Sequence, residues 1–112
     1  MALVTSQSIP SGALTTPVPI TAASSDTIDE TNFGPNGCVA RVITAGTITN
    51  VTVLDPGVTP SANPGTPPAL AMPATGARML PIPRSAINPA TRLATITFSS
   101  LTGPVTYELY RI

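Results

Sequence analysis

The chain has 112 residues and balances five arginines against five acids, with no lysine, histidine or tryptophan. That length suits one domain with a modest core. A neutral, sparsely charged chain has no electrostatic footprint for nucleic acid or an anionic membrane, and its solubility is weakly protected, which favours life in an assembly.

The first stretch, "MALVTSQSIPSGALTTPVP", is polar with isolated apolar residues and no strong register. It reads as an extended arm over residues 1–17 that orders against a neighbour, followed by one domain over residues 18–112. It lacks a basic region and a long apolar run, so no signal peptide is expected. The segment "VPITAA" is a short extended piece, and Pro17 and Pro19 confine it to a sheet edge or a strand start. "SSDTIDETNF" reads as a turn or short 3₁₀ segment. Its acids Asp26, Asp29 and Glu30 suit a solvated turn with a capping role better than a calcium loop, which needs more oxygen ligands at fixed spacing.

"GCVARVITAG" alternates, with Cys38, Ala40 and Val42 on the face opposite charged Arg41 and therefore inward. Cys38 is alone, so no intrachain disulfide forms, and it reads as a small core hydrophobe. Ala45-Gly46-Thr47 is the expected hairpin into "TITNVTVLDPG", where Val51 and Val53 point inward. A proline-rich loop follows over residues 55–68. "ALAMPATGARMLPIP" resumes extended structure, turning at Ala74-Thr75-Gly76 and burying Met79 and Ile82. "RSAINPATR" is a turn region. "LATITFSS" is the clearest strand, with Ala94, Ile96 and Phe98 inward. "VTYELYRI" closes the chain, with Val105, Tyr107 and Leu109 inward and Thr106, Glu108 and Tyr110 outward.

Fourteen prolines and eight glycines therefore act as punctuation between short alternating runs. The predicted fold is all-β: an antiparallel β-sandwich or small β-barrel of about six to eight short strands, with an extended N-terminal arm. No apolar run is long enough for a membrane helix. Without histidine, Ser-His-Asp and Cys-His catalysis and histidine metal sites are excluded, no phosphate loop is present, and four aromatics are too few for a stacking platform. The expectation is a protein that is not an enzyme and uses no cofactor and no metal. Arg78, Arg84 and Arg92 carry two readings: ion pairs with acidic groups of a partner, or exposed arginines at loop edges.

Asn36-Gly37 leads into an alternating strand. Gly46-Thr47 then leads to Val51-Thr52-Val53-Leu54-Asp55-Pro56. Pro73-Ala74-Thr75-Gly76 and Pro81-Ile82-Pro83 follow, and the strand at 90–99 precedes a last strand ending in Arg111. This succession resembles a family of small proteins encoded by tailed bacteriophages, commonly among the head genes beside the major capsid protein. The resemblance covers most of the chain after Thr31. The proline-rich loop and the N-terminal arm depart from the family pattern.

The resemblance implies a virion structural protein, a capsid decoration (cement) protein on the outer capsid surface that stabilises contacts between major capsid protein subunits. It would be made in the bacterial host cytoplasm and would contact neighbouring copies of itself, a trimer fitting a threefold lattice position, with no nucleic-acid or membrane partner. Candidate contacts are Leu3, Val4 and Ile9 in the arm, the loop at 58–68 beginning with Val58, and Arg78 and Arg84. The rivals are a head–tail connector, tail or fibre-base protein and, in another class, a carbohydrate- or receptor-binding module.

Overall fold

A computed structural model of the chain describes residues 2–9, 12–47, 49–57, 60–63, 65, 67 and 69–112. Among these, nine strands form two sheets: β1 (Ala2–Val4), β2 (Ile20–Thr21), β3 (Ser25–Asp29), β4 (Cys38–Ala45), β5 (Asn50–Val53), β6 (Leu70–Ala71), β7 (Thr75–Ile82), β8 (Leu93–Phe98) and β9 (Val105–Arg111). One sheet runs β1-β3-β8-β5-β6 and the other β2-β9-β4-β7. All pairings are antiparallel except β1 with β3. The sheets stay open at their edges and pack face to face, so the fold is a sandwich and the barrel alternative falls away.

The core follows the alternation of the strands. Cys38, Ala40 and Val42 of β4, Ala94, Ile96 and Phe98 of β8, and Val105, Tyr107 and Leu109 of β9 are all buried. Ile28, Val51 and Ile82 complete the layer between the sheets. Burying each large aliphatic side chain contributes about 1.5–3 kcal/mol before the entropy of ordering is subtracted. Pro81 is tolerated inside β7 because that strand is a sheet edge, where a missing N–H breaks no ladder. The same logic puts β2, behind Pro17 and Pro19, at the opposite edge, as the sequence predicts.

Four expectations are corrected. First, "SDTID" is a strand, with the 3₁₀ turn limited to Glu30–Asn32. Asp29 does cap that turn, accepting from the Thr31 N–H at 3.0 Å, but Asp26 is fully buried and no part of a solvated turn. Second, β4 and β5 do not form a hairpin, because they lie in different sheets. Gly46, at φ +90°, directs its N–H to the Ala74 carbonyl at 2.7 Å, and Thr47 and Thr49 are buried in the crossing. Crossing over lets the apolar faces of the two strands oppose one another, so that Val42 and Val51 line one inter-sheet cleft. Third, the later turn comes at Met72, Pro73 and Ala74, before β7, which already includes Thr75 and Gly76. Fourth, Met79 is 61% exposed on the outer face of β7, because it pairs with outward Arg41 and not with the inward Ala40.

The N-terminal arm is tied down over its first half. β1 adds to β3, and Gln7 bridges to Tyr110 of β9, so residues 2–7 pass from one sheet to the other along one side of the sandwich. Gln7 donates its N–H to Leu109 O at 2.7 Å and accepts from Arg111 N–H at 2.8 Å.

Candidate binding surface

The contact candidates fall into different settings. Val4 is 5% exposed and packs into the domain's own core, so its side chain is not on offer to a partner, a correction that follows from its register opposite Ile28. Leu3, one residue earlier and on the opposite face, is 65% exposed. Ile9 is 62% exposed. Val58 lies outside the described residues, as do Thr59, Pro64, Thr66 and Pro68 of the same loop. Arg78 is exposed on edge strand β7, and its guanidinium donates to the Ala77 carbonyl at 2.8 Å.

Leu14, one of the isolated apolar residues of the arm, and Val18, which opens "VPITAA", are not among the contact candidates from the sequence but belong with Ile9. Leu14 is 104% exposed and Val18 57%. The backbone that carries them is stapled by one side chain. The Gln7 amide donates to Thr16 O at 2.9 Å and accepts from Val18 N–H at 2.9 Å. Gln7 is itself bonded to β9, and Ile20 pairs with Tyr107, so both ends of the excursion are anchored in one sheet.

Arg84 and Arg92, 8 residues apart in sequence, line one cleft of about 310 Å³ with Glu30, Ile87 and Pro89. Each wall has a local cause. Arg84 opens the 3₁₀ turn Arg84–Ala86, and its Nη1 donates to Gly34 O at 2.9 Å and Phe33 O at 3.4 Å. These bonds fix the guanidinium while leaving others of its five N–H donors free of protein partners among the described residues. On the other wall, the Asn88 carboxamide accepts from Ala90 N–H at 2.9 Å and Arg92 N–H closes onto Asn88 O at 2.7 Å, shaping the turn into β8. Arg92 pays for that turn with a left-handed backbone at φ +62°, which costs a non-glycine residue about 1–2 kcal/mol. Its Nη1 donates to Glu30 Oε1 at 2.8 Å. Two arginines against one glutamate leave the cleft with an excess positive charge.

Two further polar clusters are turned inward on the domain's own groups. On the outer face of β4 and β9, Arg41 Nη1 reaches both carboxylate oxygens of Glu108 at 3.2 Å, and the Tyr110 hydroxyl donates to Glu108 Oε1 at 2.8 Å. Glu108 is therefore only 6% exposed although it points outward as predicted. In the core, the Tyr107 hydroxyl donates to Asp26 Oδ2 at 2.7 Å across the two sheets. Burial, then the bond to Asp26 and its charge, push the Tyr107 hydroxyl well above the usual phenol range. Cys38, buried with its thiol against Asn32 O at 3.1 Å, is raised mainly by burial.

Among the described residues no cluster of three or more His, Cys, Asp or Glu is arranged to hold a metal ion, and no helix is long and apolar enough to cross a membrane. No family model, curated protein or solved structure matches the chain.

Proposed function

We propose that the chain is a structural protein of a tailed-phage virion: a decoration protein that sits on the outer capsid surface and ties neighbouring major capsid protein subunits together. The succession of turns and strands from Asn36-Gly37 to Arg111 supports this reading. The structural observation that carries it is the apolar excursion between Gln7 and β2. Ile9, Leu14 and Val18 are 62%, 104% and 57% exposed on backbone held at both ends by hydrogen bonds. In a neutral chain, large exposed apolar side chains cost solubility unless a partner covers them. A partner that covers one fully contributes about 1.5–3 kcal/mol per side chain. The Gln7 staple reduces the ordering cost of that contact. Contacts of this size are individually weak and become effective when many copies act on one lattice.

The test is to mix the purified protein with undecorated shells of the source phage and image them by cryo-electron microscopy. Density of this fold repeated over the capsid lattice is expected, with the excursion against the shell, and Leu14→Ser should lower occupancy without changing the domain's melting temperature. Density only at the portal or tail would replace decoration with a connector role. An absence of density would overturn the virion reading.

A further inference from the structure

Resting on that reading, we infer that the cleft lined by Glu30, Arg84, Ile87, Pro89 and Arg92 is a docking site for an acidic side chain, Asp or Glu, of the protein surface on which the domain sits. Three observations lead there. The cleft joins two guanidiniums on independent elements, the 3₁₀ turn after β7 and the turn before β8. Arg84 Nη1 is anchored to the Gly34 carbonyl at 2.9 Å, with the Phe33 carbonyl at 3.4 Å, which lowers the ordering cost of engaging a partner. Arg92 occupies a left-handed position at φ +62° where glycine would be unstrained, and strain of this kind is retained where the side chain has a task.

The charge of the cleft specifies the ligand. Glu30 Oε1 occupies part of Arg92 and leaves an excess of one positive charge, which suits a monoanionic carboxylate. A phosphate dianion would meet the Glu30 carboxylate at close range. The whole chain is neutral, so nothing draws in a polyanion over distance. Planar guanidiniums match a carboxylate through paired N–H donors. Ile87 and Pro89 provide an apolar wall for the methylenes that carry it. Arg78, the other arginine among the candidate contacts, lies apart on β7 outside this cleft, with its guanidinium bonded to its own neighbour's carbonyl; the inference gives it no part in the contact, so it serves as the control.

The experiment compares wild type, Arg92→Gly, Arg84→Gln and Arg78→Gln for binding to undecorated shells. Arg92→Gly removes the guanidinium while relieving the backbone, so it remains folded, and an ¹⁵N–¹H spectrum verifies each variant. The inference predicts that Arg92→Gly and Arg84→Gln each weaken binding about tenfold, as expected for loss of a hydrogen bond to a charged group, while Arg78→Gln does not. Shell binding unchanged in both cleft variants would overturn the cleft and leave decoration standing. If wild type binds no shell, decoration falls, and the cleft is decided separately by titrating the full chain with N-acetyl-glutamate N-methylamide. Saturable shifts at the Ile87 and Arg92 amides, absent with the glutamine analogue and with Arg92→Gly, would support the site. No shifts would overturn it. Self-association that depends on Arg92 and on exposed Asp55 would assign the carboxylate to a second copy and overturn the shell as its source.

Discussion

Replacing Tyr107 with phenylalanine tests the inter-sheet latch. The substitution removes one oxygen and leaves the ring's packing on Phe98, 5.6 Å between centroids, intact. What it changes is Asp26. That carboxylate is 0% exposed, and it would keep a single contact, the Ala23 N–H at 3.3 Å, because its Oδ1 has no partner among the described residues. A hydrogen bond to a charged group contributes about 1.5–3 kcal/mol, and stranding a buried charge moves the loss toward the top of that range. We expect about 3 kcal/mol, a large fraction of the roughly 6–17 kcal/mol available to a domain of this size. With a urea m-value of about 1.5 kcal/mol/M, the unfolding midpoint followed by circular dichroism falls by about 2 M. The double variant Asp26→Val/Tyr107→Phe removes both polar partners and should be more stable than Tyr107→Phe alone. A loss below about 1 kcal/mol in the single variant, or a double variant whose cost is the sum of the two singles, would refute the reasoning.

Two further outcomes follow from the same core and its turns. The Tyr107 hydroxyl is held protonated in the fold above its ordinary range. Its contribution is therefore complete below the unfolded phenol value of about 10 and declines by about 1.4 kcal/mol per pH unit above it, since only the unfolded chain releases the proton. Urea midpoints between pH 9 and 11 should show this slope in wild type and a shallower one in Tyr107→Phe; equal slopes would contradict it. Gly37 sits at φ +97°, and an added Cβ would run into the Ile82 carbonyl oxygen. Gly37→Ala should therefore cost about 2 kcal/mol or more, read as a lowered thermal midpoint; an unchanged melt would show that the turn can relax.

The candidate surface was legible in part. Arg78, Arg84 and Arg92 stood out together because arginine suits interface ion pairs, but nothing in the sequence set Arg84 with Arg92 and apart from Arg78; Glu30 came from a stretch 54 residues before Arg84, and its place in the same cleft depends on β3 pairing with β8. Leu14 and Val18 carried no sequence signal beyond being apolar in a polar segment. Their exposure depends on the Gln7 staple, and a glutamine gives no hint of which carbonyl it will find. Val4 and Leu3 are neighbours in sequence with opposite fates, since a strand sends alternate side chains to opposite faces.

Period-two alternation in β4, β8 and β9 determined the all-β class and most of the core, because a half-buried strand must segregate its faces wherever it ends up, and left sandwich and barrel open. Pro17 and Pro19 confined their strand to a sheet edge or a strand start. Tertiary structure decided the rest. Asp26 breaks the apolar pattern of β3 and is made tolerable only by a tyrosine 81 residues away, so that strand was invisible locally. The crossing from β4 to β5 was likewise open, since Gly46 allows either a hairpin or a passage between sheets. The choice between them rests on where two apolar faces can bury each other, which is a property of the assembled core and of no short segment.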